Sequence, residues 1–175
     1  MTAPRRGLVV VYTGDGKGKT TAALGLVFRA LGRDIPVAVV QFIKGRWKTG
    51  ERVFAATLPR LTFLTMGEGF TWEGDDPEVH ARAARAAWER ARDLVSSGDH
   101  AIVVLDELTH VIRHGFVPLT DVLAVLAARS EGVTVVVTGR DAAPELVAAA
   151  DLVTEMRSVK HPFDHGARAL IGVDY

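Results

Sequence analysis

Residues 7–21 read Gly7-Leu-Val-Val-Val-Tyr-Thr-Gly-Asp-Gly-Lys-Gly-Lys-Thr-Thr21. The apolar run Leu8–Val11 has the length of a buried strand. A glycine-rich turn follows, and a Gly-Lys-Thr step opens what reads as a helix. Strand, glycine turn and helix in that order make a phosphate-binding loop. Glycines 14, 16 and 18 let backbone N–H groups converge on phosphate oxygens, and the helix points its positive end at the same anion. Lys19, at an exposed helix start, reaches the outer phosphates, and the Thr20 hydroxyl meets Mg²⁺. The expected ligand is a nucleoside triphosphate with Mg²⁺. The expected contacts are Gly14, Asp15, Gly16, Lys17, Gly18, Lys19, Thr20 and Thr21. The match departs from the usual G-x-x-x-x-G-K-[ST] spacing at one point: Thr13 stands where the first glycine belongs. Lys17 adds a further cation to the loop.

The rest of the chain repeats the strand–helix alternation. Strands are expected at Gly7–Thr13, Val37–Phe42, Leu61–Met66, Ala101–Leu105, Val133–Thr138 and Leu152–Met156. Helices are expected at Lys19–Leu31, Glu51–Leu58, Pro77–Ser97, Leu119–Arg129 and Pro144–Ala149. The Asp75-Asp76-Pro77 run is a helix start, and Gly98 a stop. Several strands are apolar without alternation, the mark of a parallel sheet covered on both faces. The expected architecture is α/β, with a doubly wound, mostly parallel sheet and helices on both faces. In such sheets ligands bind at the carboxyl ends of the strands.

The 175 residues fit one domain, 1–175, with a sizeable core. The 21 basic and 21 acidic residues cancel, which argues against nucleic acid as the main partner. With no cysteine, disulfides, thiol chemistry and cysteine-ligated zinc are excluded. No signal core and no run of about 20 apolar residues is present, so no membrane association is expected and the location is read as cytoplasmic.

Other candidate residues follow strand ends. Asp106-Glu107 closes an apolar strand, where a carboxylate meets Mg²⁺ directly or through water; either acid fits that role. Arg140, after Val133–Thr138, reads either as a fork of donors to phosphate or as half of a surface salt bridge. Gln41-Phe-Ile-Lys-Gly45 reads either as a rim element of the site or as a solvated loop. Phe70 and Trp72, in the polar stretch 67–73, read either as core fillers or as a flat apolar binding surface. His161 and His165 lie four apart, but Pro162 and Gly166 argue against a helix and hence against zinc. A C-terminal loop over the sheet edge is expected there.

In order, these segments resemble the P-loop type of corrinoid adenosyltransferase. The resemblance rests on Thr13–Ala23, Val40-Gln-Phe-Ile-Lys-Gly45, Gly69-Phe-Thr-Trp72, Leu105-Asp-Glu-Leu-Thr109, Thr138-Gly-Arg140, Ala150–Met156 and Lys160-His-Pro162, and spans about residue 7 to the end. It implies a P-loop NTPase-like (RecA-like) fold and two substrates, ATP and a corrinoid. The corrinoid would be cobalamin or a cobyrinic acid a,c-diamide-type intermediate. The implied reaction is attack of Co(I) on C5′ of ATP with release of triphosphate, in adenosylcobalamin synthesis or salvage. Lys17 and Lys19 would stabilise the leaving triphosphate. Phe70 and Trp72 would press on the lower face of the corrin and exclude an axial ligand. Thr20 and Glu107 would hold Mg²⁺, with Asp106 as close alternative or behind them. A flavoprotein reductant and a homodimer are also implied. The family's N-terminal segment over the corrinoid is expected to be short or absent, with about six residues before the first strand. The competing reading is a phosphotransferase or small ATPase acting on the γ-phosphate.

Overall fold

The computed structural model describes residues 6–43, 49–66, 77–162, 166 and 168–174. Six strands form one sheet: β1 Val9–Thr13, β2 Val37–Gln41, β3 Leu61–Thr65, β4 Ile102–Asp106, β5 Thr134–Thr138 and β6 Leu152–Glu155. Their order is β3-β2-β4-β5-β1-β6, and every pairing is parallel. Parallel neighbours need crossovers, and the helices supply them: α1 Lys19–Leu31, α2 Gly50–Ala55, α3 Pro77–Ser97, α4 Leu108–Arg113, α5 Leu119–Ala127 and α6 Pro144–Ala149.

The inner strands β1, β2, β4 and β5 are apolar because both of their faces are covered. Alternate residues point to opposite sides. Val10, Val37, Val39, Val104 and Val136 pack against Ala23, Val27 and Ala30 of α1. Those three positions recur at helical spacing, so α1 buries one stripe. Val9, Val11, Val40, Leu105 and Val137 face the other way, onto a second core built from α3, α4, α5 and α6. On α3, Ala84, Ala87, Trp88, Ala91 and Val95 form the buried stripe. Small alanines let the helix lie close to the sheet, and Trp88 fills the remaining depth. Gly98, at φ 77, ends α3 in the left-handed conformation that glycine adopts at least cost.

The expected elements are present, with ends shifted by a few residues. The fold is the α/β, P-loop NTPase-like sheet. One helix was not anticipated. Helix α4 follows Glu107, which sits at φ 62, ψ 27, and stops at His114 before Gly115. Its six residues are too few to show a period in sequence. Among the described residues no helix is long and apolar enough to cross a membrane.

The parallel arrangement collects one kind of strand end along one rim. In sheet order that rim carries Thr65, Gln41, Asp106, Thr138, Thr13 and Glu155.

Candidate active site

The phosphate loop is clamped from behind. Met156, just past β6, donates its N–H to Thr13 O at 2.8 Å, and its carbonyl accepts from Gly16 N at 2.7 Å. A Cβ at Gly14 would stand 2.4 Å from Met156 O, and Gly14 has φ 95. Gly16 is constrained in the same way, because a Cβ there would lie 2.8 Å from Arg157 O, so chain packing demands both glycines. Not every backbone N–H of the loop converges on the ligand side, since that of Gly16 is committed to Met156.

Thr13 needs no glycine conformation. It ends β1, paired with Glu155, and its Oγ1 accepts from Ala142 N at 3.1 Å. The departure from the usual motif thus ties the loop to the segment after β5.

Lys19 is buried, at 7% exposure, which corrects its expected place at an exposed helix start. Its ammonium donates to Gly14 O at 2.7 Å and Gly16 O at 2.8 Å. Three donors are available on an ammonium, so one remains for an anion in the cavity that this residue lines. Burial pushes its pKa below the ordinary lysine value. The Glu107 charge opposes that, Arg140 adds to it, and Asp15 and Asp141 oppose it.

Behind the loop lies a buried polar cluster. Asp106, 1% exposed, accepts from Thr20 Oγ1 and Thr138 Oγ1 on one carboxylate oxygen, both at 2.8 Å. Its other oxygen accepts from Gln41 Nε2 at 3.1 Å. Gln41 in turn accepts from Thr65 Oγ1 at 3.4 Å. A buried carboxylate needs such donors, because burying it without them costs several kcal/mol, of the order found for unpaired buried ions. The bond to Asp106 commits the Thr20 proton and leaves the lone pairs of Thr20 to accept elsewhere. Glu107, by contrast, lines the cavity. The left-handed turn sends two consecutive acids in different directions.

The cavity at this rim has a volume of about 980 Å³ and is also lined by Asp15, Lys17, Thr21, Arg140 and Asp174. The structure thus brings the expected residues Asp15 to Thr21, Glu107 and Arg140 to one cavity, whereas Gly14 does not line it. Lys17 contacts the Asp174 carboxylate, which also accepts from Leu170 N at 2.7 Å. The C-terminal turn therefore reaches the phosphate loop. His161 also lines the cavity. Gln41 and Phe42 are each 1% exposed, so the start of that segment is packed and not a solvated loop. Phe70 and Trp72 lie outside the described residues, as do Lys44 and His165. Gln41 was offered only through one of two readings of its segment, and Thr138, Asp174 and His161 were not assigned to the site from sequence. Polar ends on otherwise apolar strands were the available signal for the first two.

The family described as ATP:corrinoid adenosyltransferase BtuR/CobO/CobP matches residues 5–175. The chain belongs to this family. It is 47% identical over 171 residues to a corrinoid adenosyltransferase of Pseudomonas aeruginosa, covering 97% of this chain and 84% of that one. It is 42% identical over 170 residues to the Escherichia coli K12 corrinoid adenosyltransferase, covering 97% and 86%. It is 43% identical to corrinoid adenosyltransferase CobA of Salmonella typhimurium, with the same coverage. Among solved structures, the flagellar accessory protein FlaH of Methanocaldococcus jannaschii superposes with a TM-score of 0.57 at 12% identity, over 86% of this chain and 71% of that one. That likeness concerns the fold alone. As a member of the family the chain is an enzyme, an ATP:corrinoid adenosyltransferase.

Proposed function

We propose that the rim cavity holds Mg·ATP for direct adenosyl transfer to a Co(I) corrinoid, with the triphosphate on the Thr13–Thr21 loop. In this step the cobalt electron pair forms a bond to C5′. The C5′–O bond breaks and its electron pair leaves on intact triphosphate. The observation that carries the reading is the convergence of Lys19, Thr20, Glu107 and Arg140 on one cavity at the carboxyl ends of a parallel sheet. The group that must be stabilised is a whole leaving triphosphate. Lys19, Lys17, Arg140 and the loop N–H groups supply positive charge along its length.

The donor set fits Mg²⁺. It consists of oxygens only: the Thr20 hydroxyl, whose proton is committed to Asp106, and the Glu107 carboxylate at the cavity wall. Asp106 then acts from behind, orienting Thr20. When bound, the ion would neutralise charge on the triphosphate. Phe70 and Trp72 are assigned to the lower face of the corrin, where they exclude an axial ligand from cobalt. Four-coordinate Co(II) takes up an electron more readily, because no donor opposes it from below. A flavoprotein is the proposed reductant, the working state is a homodimer, and the location is cytoplasmic.

The test is anaerobic incubation with ATP, Mg²⁺ and chemically reduced corrinoid, followed by phosphorus NMR and optical spectra. The expected products are triphosphate and a cobalt–carbon bond in equal amounts. Stoichiometric ADP without that bond would reject adenosyl transfer and favour γ-phosphate chemistry.

A further inference from the structure

Thr138 ends β5 with its side chain fully buried. Its hydroxyl is used twice. It donates to Asp106 Oδ1 at 2.8 Å, and it accepts from the Glu107 backbone N–H at 2.9 Å. One oxygen therefore touches both consecutive acids. The two bonds act on different parts of the metal-binding pair. Asp106 Oδ1 also takes the Thr20 proton, so fixing Asp106 fixes the direction of the Thr20 lone pairs. Glu107 stands in the left-handed conformation, which residues with a Cβ avoid unless held there. The bond from its N–H to Thr138 helps to hold that turn, and the turn aims the carboxylate at the cavity.

We infer that Thr138 is a positioning residue, setting Thr20 and Glu107 together for the divalent cation. This rests on the Mg²⁺ reading of the site given above. Thr138 touches neither substrate nor metal in this role. It acts through the groups that do. Gly139 supports the placement. With φ 140, it lets Thr109 approach so closely that a Cβ there would lie 2.0 Å from Thr109 Oγ1, which bonds Arg140 O at 2.6 Å. The segment after Thr138 is thus anchored to α4, the helix that Glu107 starts.

Two substitutions separate positioning from packing. Thr138→Val keeps the volume and the β-branch and removes the hydroxyl. Thr138→Ser keeps the hydroxyl and removes a methyl group. The readout is Mn²⁺ binding in the presence of ATP, followed by electron paramagnetic resonance, with no corrinoid present. Thr138→Val should weaken Mn²⁺ binding about tenfold, the lower end of losses seen when a group supporting metal ligands is removed. Thr138→Ser should restore it to within about twofold of wild type. In turnover, the Val variant should need correspondingly more Mg²⁺ for half-maximal rate. If Val binds Mn²⁺ like wild type, or if Ser is the worse of the two, Thr138 is a packing residue and the inference fails. Should the Val variant not fold, a folded Ser variant with a tenfold loss overturns the inference by itself, and a folded Ser variant of wild-type affinity upholds it. Absence of ATP-dependent Mn²⁺ binding in the wild type would instead overturn the Mg²⁺ reading.

Discussion

At the scale of single residues, Lys19 shows how burial serves a charge. An ammonium at 7% exposure is tolerable here because two loop carbonyls hold it. Held in that way, it faces an incoming phosphate with little freedom left to lose. Lys19→Ala should therefore leave the fold intact and lower kcat/KM about a hundredfold, roughly 3 kcal/mol of lost stabilisation of a developing anion. Circular dichroism and steady-state kinetics together check this; activity within twofold of wild type would remove Lys19 from the reaction. Lys19 and Thr20 were legible in the sequence because their motif is local. Asp106 and Glu107 were legible as a pair and not as separate roles. What divides them is the positive φ at Glu107, a backbone fact that residue types alone do not encode. The bonds of Gln41 and Thr138 to Asp106 stayed hidden because they join different strands.

At the scale of elements, the glycines divide by what surrounds them. Gly14 has φ 95 and faces Met156 O at 2.4 Å from where its Cβ would be, whereas Gly25 on α1 meets nothing within 4 Å. Gly14→Ala should destabilise the fold by about 1–3 kcal/mol from backbone strain, with the clash in addition. Gly25→Ala should stabilise it by about 0.5–1 kcal/mol, since alanine costs less entropy in a helix. Thermal unfolding of the two variants should move Tm in opposite directions, and a shared direction would contradict this account of the loop.

Helix α4 carries a pH dependence of its own. Its His110 ring lies 4.4 Å from that of His114. Burial, then His114 and then Arg113, push the His110 pKa down to about 4. A depressed histidine pKa favours the neutral form in the folded state. That contribution is complete above the ordinary value near 6.5 and is lost as pH falls from there toward about 4. His110→Leu should flatten the fall of Tm across that window. An unchanged profile would show that other groups govern it.

At the scale of the whole molecule, the order β3-β2-β4-β5-β1-β6 does most of the assembly. It sets β4, β5 and β1 side by side, so Asp106 and Thr138 meet and Thr13 ends the next strand of the same rim, although the chain separates them widely. Strand and helix types were legible because parallel strands buried on both faces lose their alternation. The approach of the C-terminal turn to the loop was not, since Lys17 and Asp174 stand 157 residues apart with no pattern to join them. That contact supports a last prediction. The Asp174 carboxylate is held below the usual range by the bond from Lys17 and then by that from Leu170 N–H. With a depressed value, the contact is present at neutral pH and is lost only as pH falls below the ordinary aspartate range. At neutral pH, then, Asp174 and a triphosphate compete for the Lys17 ammonium. Asp174→Asn removes the competing charge and keeps the side-chain shape. The KM for Mg·ATP should fall about two- to threefold at low salt, the scale of an exposed ion pair, and the difference should shrink as ionic strength rises. A higher KM in the variant would mean the reverse: Asp174 would be holding Lys17 in the position from which it meets the triphosphate.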